Sequence, residues 1–192
     1  MRVRLAQEAA RVLLESGSRD FAMAKRKAAE HLGAHDTRQL PTNLEVEQAV
    51  AEYQRLFRSQ SQPQTLTALR EIACEAMHFF VDYQPRLVGP VLTGTADINT
   101  AITLHLFSDT SEDISMLLVN KHIPFEIRDK RYRISHDNYA QFPCFEFFAD
   151  QHKVEAVIFP RNKNAIKPLS PVDGKPLQRA DLTEIELLLH AG

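Results

Sequence analysis

Arg86 to Asp109 read RLVGPVLTGTADINTAITLHLFSD. Two apolar runs, Leu87 to Leu92 and Ile102 to Phe107, flank the short polar segment Gly94 to Thr100, a pattern that predicts two strands joined as a hairpin. Thr110 or Ser111 then caps a short helix whose Ile114, Leu117 and Leu118 face inward.

Downstream of this stretch the period stays short. Strand-like pieces are expected near Pro124–Arg128, Arg131–Ser135, Phe142–Phe148 and Val154–Phe159, with Asp129–Lys130 and Asp150–Lys153 as turns. Three prolines and one glycine between Ile166 and Pro176 predict an extended loop, and Asp181 to His190 carries a last helix. Upstream the period is helical. Leu5, Ala9, Val12 and Leu13 mark one helix, stopped by Gly17. Phe21 to Leu32 forms a second, ending at Gly33. After the loop HDTRQLPTN, Thr42 or Asn43 caps a third helix through Phe57. SQSQPQ, residues 59–64, reads as a linker before a fourth helix over about Thr65 to Tyr83.

The expected fold is therefore α/β (α+β), with a helical N-terminal region, residues 1–62, packed on a mixed, mainly antiparallel sheet in residues 63–192. The 192 residues are 44% hydrophobic and 25% charged, enough for a core without disulfides or metal. A net charge of −2 removes bulk charge as an argument for nucleic acid. Two cysteines, Cys74 and Cys144, are too few for a disulfide framework or a cysteine zinc site. No apolar run reaches the roughly 20 residues of a membrane span, and MRVRLAQEAARVLLESG has no continuous apolar leader, so a cytoplasmic protein is expected.

The 86–109 stretch resembles the first hairpin of the nucleotidyltransferase superfamily, including its minimal type. There a Gly-Ser pair precedes a strand bearing two acids at i and i+2, and a later strand supplies a third. Residues i and i+2 share a strand face, so such carboxylates can hold Mg²⁺ against a triphosphate, while a small turn admits phosphates to its backbone N–H groups. In this chain Gly94-Thr95 takes the place of the Gly-Ser pair. Ala101 and Thr103 occupy the two acid positions, and the turn is about five residues shorter than the motif. The sequence is also similar to a group of uncharacterised bacterial proteins that share LVGPVL-GTA, LHLF, a strand ending in FP, and LSPVDGKP.

The resemblance implies a divergent nucleotidyltransferase-like protein with weak or lost catalysis, using a nucleoside triphosphate and Mg²⁺. Gly94, Thr95 and Thr103 would face the phosphates, Glu155 would hold metal, and His105 or Asp97 would assist. Each has a plain alternative: an ordinary turn for Gly94-Thr95, a conformational turn residue for Asp97, a structural histidine for His105, an exposed strand face or a structural pair with an arginine for Glu155. The other function considered is a non-catalytic binding or regulatory module, gripping a protein or RNA partner through the helices of residues 1–58. Lys25-Arg26-Lys27 form a basic run that could meet phosphate or RNA, with a solvated helix face as the favoured account. Arg161 with Lys163, Lys167 and Lys175 form a second cluster that could reach the phosphates of a nucleotide at the hairpin. No metallohydrolase histidine motif, Walker loop or nucleophile elbow occurs.

Overall fold

The computed structural model describes residues 1–34, 40–57, 61–161 and 166–190. The loop residues 35–39, with the His35-Asp36 pair, and Lys163 of the late basic cluster lie outside them, as do the first two residues of the expected linker. The chain forms two compact units. One, mostly helical, comprises residues 1–65, 95–100 and 171–174; the other, built on a sheet, comprises residues 66–94, 101–170 and 175–192.

In the helical unit, α1 (Arg2–Ser16), α2 (Phe21–His31) and α3 (Asn43–Phe57) enclose Leu5, Val12, Leu13, Leu14, Phe21, Val46 and Val50. Ala9, Ala10, Ala24 and Ala28 are buried between them; such small side chains let helix backbones come close. The helix ends follow from their sequence. Gly17 closes α1 in the left-handed conformation, and the Asp20 carboxylate accepts from the Met23 N–H to start α2. Thr42 and Glu45 form a reciprocal capping box at α3, each side chain accepting from the other's N–H. Ser61 to Gln64, expected as linker, are instead the first turn of α4 (Ser61–Phe79). Pro63 fits there because first-turn N–H groups have no partner within the helix.

In the sheet unit, β1 (Arg86–Val88), β2 (Ile102–Phe107), β3 (Phe125–Arg133), β4 (Tyr139–Ala149) and β5 (His152–Phe159) form one sheet in the order β1-β2-β5-β4-β3. Only the β2–β5 pairing is parallel, so the sheet is mixed and mainly antiparallel, and the chain is α/β as expected. Register and alternation sort the side chains into two faces. On the inner face Leu104, Leu106, Phe145, Phe147, Val154, Ala156 and Ile158 are buried, and the Phe80 ring rests on Phe147. The inward stripes of α4, α6 (Glu112–Asn120) and α7 (Leu182–His190) are buried in the same unit.

Two further expectations need correction. β1 and β2 pair antiparallel, but no tight hairpin joins them: β1 stops at Val88, Gly89 turns with φ 76°, and Pro90 starts the four-residue helix α5 (Pro90–Thr93). Asp129-Lys130 is no turn. It lies mid-strand in β3, opposite Pro143 and Phe142, merging two expected strands into one. Pro143 is tolerated inside β4 because the pairing with β5 begins only at Cys144.

Candidate functional site

The outer face of the sheet holds Thr103, His105 and Glu155 of the residues singled out by the sequence, and it divides into two halves. At one end lie Thr103 and Glu155, register partners on the adjacent parallel strands β2 and β5. The Thr103 hydroxyl donates to Glu155 Oε2 at 3.3 Å. Lys130, reaching across β4 from β3, places its ammonium on the same carboxylate. Lys153 bridges Glu146 Oε2 at 2.9 Å and Glu155 Oε1 at 3.6 Å, while Arg128 joins Glu146 to Glu126. Three carboxylates thus alternate with three cations across β3, β4 and β5. Burial acts to raise the Glu155 carboxyl, but Lys130, Lys153 and the Thr103 hydroxyl outweigh it and leave it below the ordinary value. A carboxylate so held stays ionised and makes a poor general acid.

At the other end, His105 is fully buried. Arg179 Nε donates to its Nδ1 at 3.0 Å, and its Nε2 lies 3.0 Å from the Tyr132 hydroxyl. A guanidinium N–H has only a proton to give, so Nδ1 is the acceptor and the ring proton sits on Nε2. Burial, then Arg179 and Lys130, hold the imidazole well below its usual range, and it is neutral. With both ring nitrogens engaged, His105 has no free lone pair with which to act as a base. Around it Phe107, Phe142, Cys144, Val157 and Phe159 form a small apolar cluster.

Gly94, Thr95 and Asp97 fall elsewhere. Gly94 ends α5 in the sheet unit, and its N–H donates to Pro90 O at 2.8 Å. Thr95 and Asp97 belong to the helical unit. There the Thr95 hydroxyl donates to Glu47 Oε1 at 2.8 Å, which puts a negative charge where a phosphate was expected. Asp97, 3% exposed, accepts from the Asn99 N–H and the Thr100 hydroxyl, the geometry of an Asx turn. Gln54 and Gln62 donate to Thr95 and Ala96 carbonyls of the same loop. A cavity beside it, lined by Leu13, Arg19 and Asp97 among others, has room for about one water molecule.

The remaining candidates are quiet. Burial raises both thiols, that of Cys144 to about 12. Lys25 donates to Asn43, and Arg161 donates to the Phe107 carbonyl. Mg²⁺ prefers near-octahedral oxygen ligands. Here Ala101 and Thr103 supply no carboxylate, and the Glu155 carboxylate is already paired with Lys130 and Lys153. Among the described residues no group of three or more His, Cys, Asp or Glu is placed to hold a metal ion. The donor set does not fit the cation.

Sequence reasoning missed Lys130, Lys153, Tyr132 and Arg179. In sequence, Asp129–Lys130 and Asp150–Lys153 read as turns. The signal that finds Lys130 is alternation: Glu126, Arg128, Lys130 and Tyr132 continue one strand face without a break. No helix among the described residues is long and apolar enough to cross a membrane. No family model, no curated protein and no solved structure matches the chain.

Proposed function

We propose that this chain is a divergent nucleotidyltransferase-like protein that binds without transferring, with an internal ion pair where the metal chemistry would be. The supporting observation is the Lys130 ammonium on Glu155, beside Thr103, on the central parallel strands. By the resemblance, carboxylates in that neighbourhood would hold Mg²⁺. Here one carboxylate remains, and an ammonium balances its charge without offering a Lewis-acid position. The ligand class is a nucleoside triphosphate, whose phosphates would draw Lys130 and Lys153 away from their glutamates.

A thermal-shift titration with ATP, GTP, CTP and UTP, each with and without Mg²⁺ or Mn²⁺, tests this. Ligand binding to the native state raises the midpoint. A metal-independent rise with at least one nucleotide, lost in Lys130→Met, is the expected result. A metal-dependent rise lost in Glu155→Ala would mean that a metal site survives and overturns the loss of chemistry. Absence of any shift at millimolar nucleotide overturns the nucleotide ligand.

A second reading, contact with a protein or nucleic-acid partner through the helical unit, is favoured by Leu56 and Phe57. They are 57% and 71% exposed in the last turn of α3. Capture of a partner by the wild-type chain but not by Leu56→Ser/Phe57→Ser would support it.

A further inference from the structure

The chain after β5 returns over the sheet as a strap. Its two limbs, residues 166–170 and 175–180, bridge each other at Leu169 and Pro176. The Leu169 N–H donates to the Arg133 carbonyl at the end of β3, and Ala180 pairs with Leu87 of β1. The strap is thus tied to both edge strands, and three residues before the first tie Ile166 packs on the aromatic floor of Phe107, Phe142 and Phe159. The link from strap to floor by a charged group is Arg179. Its guanidinium lies 5.3 Å from the Phe107 ring centroid and 5.0 Å from that of Phe159, donates to the Ile166 carbonyl, and donates to His105 Nδ1.

We propose that His105 and Arg179 form a proton-operated latch, closed while the imidazole is neutral and opened by its protonation, which releases the strap from the aromatic floor. The latch depends on a lone pair. A proton on Nδ1 replaces an N–H···N hydrogen bond with two donors facing each other, and adds a second cation 3.0 Å from the first. Tyr132, whose hydroxyl pairs with Nε2, cannot take up the charge. The charged and titratable groups around the ring are Arg86 on β1, Lys130 and Tyr132 on β3, Cys144 and Glu146 on β4, Lys153 and Glu155 on β5, and Arg179 on the strap. Arg86, Lys130 and Arg179 add positive charge, and Glu146 and Glu155 are engaged by Lys153 and Lys130. The surroundings therefore favour release over an accommodated imidazolium. This inference is independent of the nucleotide proposal and needs no ligand.

Amide hydrogen exchange of the whole chain tests it, read at Leu169, Leu177 and Ala180 and compared with Leu104 and Ala156 in the β2–β5 ladder. The strap amides should open more readily than the ladder amides. With an ordinary imidazole pKa of about 6.5 in the open form, their opening constant, corrected for intrinsic exchange, should rise about tenfold from pH 7.5 to 5.5. In His105→Gln, whose side-chain carbonyl still accepts from Arg179, the strap should stay protected and the pH dependence should vanish. In Arg179→Met, which keeps the stem and removes the donor, the strap should open at least tenfold more at pH 7.5. Strap and ladder amides opening together at every pH would overturn the latch. So would a tenfold rise that persists in His105→Gln, or a strap equally protected in Arg179→Met.

Discussion

Gly17 sits where α1 must end and the chain must turn, with φ 62°. A Cβ there would lie 2.4 Å from the Asn99 carbonyl oxygen, so both backbone conformation and space demand glycine. Gly17→Ala should cost at least about 2 kcal/mol, the left-handed strain plus the clash, read as a lower denaturant midpoint. Glycine as a helix stop was legible in the sequence; the partner that makes it obligatory, 82 residues later, was not. The same holds at His105 and Glu155. Alternation put His105 on the strand face of Thr103 and left Glu155 within an apolar strand, but their chemistry is set by Arg179, Tyr132 and Lys130, which no local pattern connects to them. Asp97 differs: its turn role is local, and the spacing to Asn99 and Thr100 is enough to read it.

Elements were legible where their period was long and strong. α1, α2, α3 and β5 fall where apolar spacing puts them, because each buries one stripe or face. Charge misled the reading of β3, where Asp129-Lys130 resembles a turn but is an edge-strand segment, a place where charged side chains are common and guard against pairing with other chains. The turn expected at Asp150–Lys153 is there in a tighter form, the two-residue loop Asp150-Gln151 joining β4 to β5. Its residues have φ of 45° and 67°, the conformation of a type I′ hairpin turn, which prefers glycine at the second position. Gln151→Gly should therefore stabilise the hairpin by about 0.5–1 kcal/mol, the relief of left-handed strain less the added freedom of the unfolded chain. Thermal unfolding should show a midpoint higher by about 1–4 °C.

At the scale of the molecule, a neutral buried imidazole makes stability depend on pH. His105 titrates near 6.5 when unfolded and well below that when folded, so the unfolded state binds the extra proton. Stability is full above the unfolded value and falls as pH drops through it, by about 1.4 kcal/mol between pH 7.5 and 5.5. Denaturant midpoints of the sheet unit at the two pH values check this, with His105→Gln expected to flatten the difference. The strongly shifted Glu8 carboxylate does not confuse that window. Glu8, held at about 2 by its hydrogen bond from Arg11 against the opposing effect of burial, loses its contribution only below the ordinary carboxylate range.

The helical unit is discontinuous in sequence, and this has a consequence for how the chain is made. Its three helices leave the ribosome before the sheet, yet the loop around Asn99 and the segment carrying Val172, which packs on their core, arrive long afterwards. At roughly 5–20 residues per second, the interval between residue 65 and residue 174 is on the order of ten seconds. For that time the nascent helices must wait with part of their core open, so this unit is completed only after most of the sheet unit has been made.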